Sequence, residues 1–241
     1  IVRSLVGSEM CIRDSFIGLH FFYHPAKNRL VEIIPSSRTS SETIQSVIQY
    51  CGAMGKVVIL CKDRPGFVVN RFFVPWLNEA CRLLDEGFGT PAEIDNVAKD
   101  CFDIGMGPFE LMNLTGPSIA LHSTDYLASQ LQVDRYKGAD SLRRLVEEGI
   151  QWDLAGVSGE FSSKDRKESR NRLLGVVLCI ASQIVEEEIC AMEDVDRGAK
   201  VGLRWPMGPF ELANDLGVDV AHGIASDLSL IHISEPTRLR T

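Results

Sequence analysis

The hexapeptide Met106-Gly107-Pro108-Phe109-Glu110-Leu111 returns later in the chain as Met207-Gly208-Pro209-Phe210-Glu211-Leu212, and its surroundings return with it. Asn70-Arg71 recurs as Asn171-Arg172, Asp95 as Asp196 and Lys99 as Lys200, all at one constant interval. With no net gap between the copies, the sequence specifies one local unit twice. The glycines permit close backbone approach and each proline suits the first turn of a helix. The repeat therefore predicts helical units that bury each other's apolar faces in a pseudo-symmetric all-α region. We read the hexapeptide as packing helices below a cleft, not as chemistry.

The remaining helical signals agree. Phe67 to Glu86 has the apolar spacing of a long helix, kinked at Pro75 and ended by Gly87. Thr90-Pro91-Ala92-Glu93 combines a capping box with a proline at the first helical position. Asp125, Tyr126 and the segment from Asp134 to Glu148 read as solvated helix faces, and Gly156 to Arg166 as a surface linker.

Ahead of the Pro65-Gly66 turn the pattern changes. Gly18 to Tyr23 and Leu30 to Ile34 are apolar strands joined by a polar turn at Pro25-Ala26-Lys27-Asn28. A capping box at Thr39-Ser40-Ser41-Glu42 opens a helix to about Tyr50, which Gly52 and Gly55 end, and Val57 to Cys61 is a buried strand. Strand, helix, strand is the order expected at the close of an α/β nucleotide-binding domain.

Folded as a hairpin centred on Ala26, the first two strands set His20 opposite Glu32. Directly opposed residues bring their Cβ atoms to roughly 4.5–5.5 Å, within reach of a carboxylate–imidazole bond. A histidine base steadied by a carboxylate is what proton abstraction near neutrality requires. The competing reading makes His20 a satisfied core histidine and Glu32 a solvated strand residue. His24 is the second candidate base, and the register argument favours His20.

Composition narrows the partners. A chain of 241 residues, 45% hydrophobic, can bury one or two cores, and a net charge of −8 argues against nucleic acid or an anionic membrane surface. No apolar run reaches the roughly 18 residues of a membrane span. Seven scattered cysteines show no metal-ligand spacing and suit free thiols in a reducing, cytoplasmic setting; no metal is expected.

These motifs resemble the 3-hydroxyacyl-CoA dehydrogenases of fatty-acid β-oxidation. The matching stretches are His20-Phe21-Phe22, Leu30-Val31-Glu32-Ile33, Gly55-Lys56, Pro65-Gly66-Phe67-Val68-Val69-Asn70-Arg71 and the first hexapeptide, in family order, and the likeness extends from about Phe16 to Asp227. The resemblance implies a truncated end of a Rossmann-type domain followed by a duplicated all-α C-terminal domain. It implies NAD-dependent oxidation of an acyl-CoA substrate, with His20 and Glu32 catalytic and Asn70 touching the acyl or thioester oxygen. Tyr23 stands where the family has the asparagine on the nicotinamide side, and His24 where it has a proline. Tyrosine cannot reproduce an amide's donor-plus-acceptor pattern. Single-unit members dimerise; two-unit members include the multifunctional β-oxidation proteins, so a homodimer or fused and associated β-oxidation enzymes are the partners implied. The family's catalytic serine, one strand-unit before the histidine, has no counterpart here. Nor does any Gly-x-Gly-x-x-Gly follow a strand, so the chain as it stands is not expected to bind NAD.

The two ends read differently. Leu5 to Ser15 and Leu228 to Arg238 look like translations of the opposite strands of one oligonucleotide, as in a sequencing adapter, and are set aside from the fold. The expected organisation is therefore 1–15 non-native, 16–63 nucleotide-domain remnant, 64–160 first helical unit, 161–227 second, partial unit, and 228–241 non-native. A non-CoA hydroxy-acid dehydrogenase and a non-catalytic helical scaffold are the alternatives.

Overall fold

The structure, a computed structural model, describes residues 14–156 and 161–232, with side chains to Leu228. A three-stranded sheet in the order β1-β2-β3 opens it, with β1 at Ile17–Phe21, β2 at Leu30–Pro35 and β3 at Val57–Leu60. β1 and β2 are antiparallel in the register the sequence predicts, His20 opposite Glu32. β3 returns parallel to β2 after helix α1, Ser41–Ala53, because parallel neighbours need a crossover. Alternation along buried β2 then divides its side chains. Val31 and Ile33 pack with Cys51 of α1, whereas Leu30 and Ile34 join the main core. Glu32, in phase with the latter pair, is a carboxylate facing a hydrophobic interior.

That interior is helical: α2 at Val69–Asp85, α3 at Pro91–Phe102, α4 at Pro108–Thr115, α5 at Pro117–Leu131, α6 at Asp140–Glu148, α7 at Ser163–Glu186, α8 at Met192–Gly198, α9 at Pro209–Leu216 and α10 at Val218–His232. Fully buried Trp76 lies at its centre, with Phe102 and Trp205 at 5.7 and 5.4 Å between ring centroids. α2 and α7 carry a pair of reciprocal ion pairs. Arg71 grips Glu187 at 2.8 and 2.9 Å, and Arg172 grips Glu86 while its Nε donates to buried Glu79 at 2.6 Å. Arg71 and Arg172 are separated by the same interval as Glu86 and Glu187, which is the contact pattern of a two-fold interface.

The two hexapeptides also adopt one geometry. Asp95 accepts the Phe109 and Glu110 N–H groups at 2.8 and 2.9 Å, and Asp196 accepts those of Phe210 and Glu211 at 2.8 and 3.2 Å. Each aspartate thus satisfies N–H groups that a helix start leaves without partners. Lys99 pairs with Glu110, and Lys200 with Glu211. Gly107 and Gly208 are required here, since an added Cβ would lie 2.4 Å from Asp95 Cγ and 2.3 Å from Asp196 Cα.

Several expectations are corrected. The cap of α1 is Ser40, accepting the Thr43 N–H, because the Thr39 hydroxyl is committed to Phe16 O; the helix reaches Ala53. β3 is only partly buried, with Ile59 inside and Leu60 exposed. α2 starts at Val69 because Gly66 and Phe67 have φ of +79° and +46°. The segment from Asp134 to Glu148 is half core: Arg135 and Tyr136 are buried in a short turn ahead of α6, and Leu142 and Leu145 because α6 lays its apolar stripe on the helical body. Asp125 pairs with Arg143. The linker is shorter than expected: Ser162 caps α7 through the Asp165 N–H, which puts Arg166 in the helix, and residues 157–160 lie outside the described residues. α10 runs through position 228, where Leu228 is buried. The rest of the two terminal stretches, residues 1–13 and 233–241, lies outside the described residues.

Two stability outcomes follow. Arg172→Met takes the counter-charge from buried Glu79 and should cost about 3–5 kcal/mol in urea unfolding, whereas Arg166→Ala, at the exposed pair with Asp100, should cost no more than about 1 kcal/mol. Burial pushes the Asp95 carboxyl up to about 6, outweighing its two N–H bonds. Being protonated when folded but ionised when unfolded, Asp95 takes up a proton on folding between its unfolded value and about 6. Its contribution is therefore fully present below the unfolded value and lost as pH rises through about 6. The stability of the parent relative to Asp95→Asn should fall across that window in unfolding titrations.

Candidate active site

The site begins with a carboxylate on the core face of β2. Glu32 is fully buried, and its Oε2 lies 2.6 Å from His20 Nδ1. Its Oε1 accepts the N–H groups of Val68 and Val69 at 3.1 and 2.9 Å. Those are orphan donors at the start of α2, whose own N-cap residue supplies no side-chain bond. A strand carboxylate thus does the capping, aided by the positive end of the helix dipole. Sequence alone left Glu32 open to a solvated reading; the fold excludes it.

The turn into α2 makes this contact possible. Gly66 has φ +79°, and an added Cβ would lie 2.9 Å from Arg71 Cα. Phe67 follows at φ +46° with its N–H on Arg64 O at 2.8 Å. Its ring packs 5.4 Å from the His20 ring, and the Phe22 ring lies 4.7 Å from it. The imidazole is thereby packed against two aromatic rings and bonded to a carboxylate while its side chain stays 29% exposed. An ionised carboxylate is acceptor-only, so Nδ1 donates and the neutral ring carries its lone pair on Nε2. Among the described residues nothing hydrogen-bonds Nε2. A positioned imidazole with a free basic nitrogen can abstract a proton.

Asn70 follows Val69 directly, so the Glu32 cap also fixes its place in the first turn of α2. It is half-buried and faces a groove of about 210 Å³ between α2 and α5. Phe67 and Val74 form one side of this groove, with His122, Ser123, Tyr126 and Leu127 on the other. Tyr126 lines this groove and remains exposed, as expected of its place on a solvated face. The structure thus brings His20, Glu32 and Asn70 into one contiguous assembly, with Phe67 touching His20 and bordering the groove.

Tyr23 and His24 stand apart. Both are exposed in the β1–β2 turn, their rings 5.7 Å apart. The turn is pinned by Lys56, whose Nζ donates to Pro25 O and Asn28 O at 2.5 and 2.8 Å. Asn28 in turn donates to Gly202 O at 2.8 Å. Neither the Val68 and Val69 donors nor the groove wall on α5 had a sequence signal, because backbone N–H groups are in every residue and polar helix faces usually meet water. Glu187 did have one: it repeats Glu86 at the interval of the two Asn-Arg pairs.

The neighbouring thiols offer no nucleophile. Burial, followed by the charges of Asp194 and Glu32, pushes the Cys190 thiol up to about 12. Burial and the Glu32 charge push Cys61 higher still. The described cysteines are all free thiols, and no cluster among the described residues could hold a metal ion. Nor, among those residues, is any helix long and apolar enough to cross a membrane.

Residues 66–152 and 170–238 match the C-terminal domain model of 3-hydroxyacyl-CoA dehydrogenase, and residues 4–64 match its NAD-binding domain model. A mouse mitochondrial hydroxyacyl-coenzyme A dehydrogenase is 43% identical over 104 residues, covering 43% of this chain and 33% of that protein. The fatty acid oxidation complex subunit alpha of Vibrio parahaemolyticus is 29% identical over 232 residues, covering 85% of this chain and 32% of that protein. The chain thus spans about a third of the length of these relatives. Among solved structures, a 3-hydroxybutyryl-CoA dehydrogenase of Escherichia coli superposes with a TM-score of 0.78 at 18% identity, over 89% of this chain and 66% of that one; at this identity the likeness speaks to the fold.

Replacing the capping carboxylate should be visible locally. Glu32→Ala leaves two buried N–H groups without an acceptor, at about 1–3 kcal/mol each. Hydrogen exchange should then accelerate at the amides of Val68 and Val69 and leave those of Phe109 and Glu110 unchanged.

Proposed function

Because this chain belongs to the 3-hydroxyacyl-CoA dehydrogenase family, we propose that it is part of an NAD-dependent enzyme of fatty-acid β-oxidation that interconverts 3-hydroxyacyl-CoA and 3-ketoacyl-CoA. The observation that carries the reading is the His20–Glu32 pair, with Phe67 shared between the His20 ring and the groove that Asn70 lines. In the oxidative direction Nε2 takes the proton of the substrate's 3-hydroxyl. Glu32 holds the ring in the required tautomer and favours the imidazolium that results. Asn70 binds the thioester carbonyl through its amide.

NAD is the cofactor that the family's nucleotide-binding model implies. Among the described residues no glycine-rich strand-to-helix turn is present to cradle a dinucleotide's pyrophosphate. The residues described here therefore do not form that site, and the proton and the thioester are the share of the chemistry assigned to them. Tyr23 at the family's asparagine position is the residue of this segment offered to the nicotinamide side.

The organisation we propose is a nucleotide-domain remnant at 16–63 and two copies of one helical unit, at 64–160 and 161–227. The reciprocal Arg71–Glu187 and Arg172–Glu86 pairs support the duplication, as do the matched Asp95 and Asp196 caps. On this reading the second unit takes, within one chain, the place a partner subunit has in single-unit members. Fused or associated β-oxidation enzymes are the partners suggested by the name of the Vibrio relative.

The test is acetoacetyl-CoA reduction by NADH in the full-length enzyme. His20→Gln should lower kcat by about 10²–10⁴-fold with the fold intact by circular dichroism. Asn70→Ala should instead act mainly on KM. Turnover by neither the parent nor any variant would replace the enzyme reading with that of a helical scaffold.

A further inference from the structure

The turn that seats the candidate base is itself held from a distance. Pro65-Gly66-Phe67 carries the chain from the sheet into α2, with Gly66 and Phe67 at φ of +79° and +46°. A phenylalanine in that region is strained, so neighbouring contacts have to keep it there. One lies within the turn, where Phe67 N–H donates to Arg64 O at 2.8 Å. Another comes from Arg71, which is buried and whose Nη1 donates to Pro65 O at 3.2 Å. The buried Tyr136 hydroxyl also meets this guanidinium. Arg71 Nη2 donates to both carboxylate oxygens of Glu187, at 2.8 and 2.9 Å, directly after the end of α7. Among the described residues Glu187 is the carboxylate paired with this buried charge.

The counterpart pair is wired differently. At the interval that relates the two hexapeptides, Arg71 corresponds to Arg172, Glu187 to Glu86 and Ile180 to Glu79. Arg172 shares its charge between two carboxylates, Glu86 and buried Glu79. For Arg71, fully buried Ile180 stands at the position of the second carboxylate, and Arg71 Nε is buried without a partner. The residues ahead of Arg172 already belong to α7, which begins at Ser163. Arg172 therefore ties α2 to α7, whereas Arg71 ties the end of α7 to the turn beside His20. Without Glu187 the Arg71 charge would be buried and uncompensated. The guanidinium would then turn toward water and give up its bond to Pro65 O.

We infer that Glu187 is a positioning residue that acts through Arg71. It holds the turn in the form that sets the Phe67 ring against His20 and the Val68 and Val69 N–H groups on Glu32. This rests on the reaction proposed above and adds to it a residue remote from the base. Loosening the turn misplaces Phe67 and Glu32 together, and small misplacements of an aligned base are costly to the rate.

The experiment measures acetoacetyl-CoA reduction by NADH in the full-length enzyme, with hydrogen exchange read at the amides of Phe67, Val68 and Val69. Glu187→Gln removes the charge that Arg71 pairs with, and Glu86→Gln makes the same change at Arg172. Arg71→Met/Glu187→Met removes both charges, which keeps the fold stable while the bond to Pro65 O is lost. We expect Glu187→Gln and the double variant each to lower kcat by about tenfold or more, with KM for NADH unchanged and exchange faster at the three amides. Glu86→Gln should lower the thermal midpoint as Glu187→Gln does and leave kcat and these amides as in the parent. A double variant that turns over like the parent, or equal losses of kcat in Glu86→Gln and Glu187→Gln, would overturn the inference and leave the proposed reaction standing. A parent without turnover would instead overturn the proposed reaction and this inference with it.

Discussion

One buried carboxylate holds the candidate site together. Glu32 spends one oxygen on an imidazole and the other on two N–H groups that begin a helix. A charge on the core face of a strand would be costly in isolation. Here it is tolerated because the helix start needs an acceptor and the histidine needs an orienting partner. Strand, base and helix are thereby fixed to one another, and Asn70 is placed by the same bond that seats Val69. The assembly is connected, so a disturbance of Glu32 reaches all three.

The C-terminal helices complete the enclosure. α8 and the π-turn after it, Ala199–Leu203, lie against the sheet and the start of α2. An added Cβ at Gly198 would come within 2.7 Å of Val69 Cγ2, and one at Gly202 within 2.6 Å of Leu30 Cδ2. The glycines let this backbone approach the core face on which Glu32 sits. Farther along, Lys62 N donates to Ile189 O at 2.9 Å, and the Arg71–Glu187 pair follows. The low accessibility of Glu32 is thus a property of both parts of the chain.

The two hexapeptides keep one local geometry while the helices around them differ. The Asp95 and Asp196 caps, the Lys99–Glu110 and Lys200–Glu211 pairs and the two required glycines preserve the packing of the hexapeptides. The pairs of helices that flank them are free to differ. Where α7 and α10 close through Gly175, the interior gains contact; where α2 and α5 stay apart at Val74, it gains a groove.

Much of this was legible from residue order alone, wherever local rules decide. Strand alternation and the turn at Ala26 determined the His20–Glu32 register, the Thr90 and Pro108 signals determined two helix starts, and the repeat interval determined a second hexapeptide of like geometry. Local rules failed where a distant group competed: the Thr39 hydroxyl went to Phe16, so Ser40 became the cap, and the stripe on α6 went inward. Only the tertiary structure decided that Glu32 is inside, that its second oxygen caps α2, and that α2 and α5 leave a groove beside Asn70. Those outcomes depend on backbone donors and facing helices that become neighbours only on folding, so no spacing along the chain could encode them visibly.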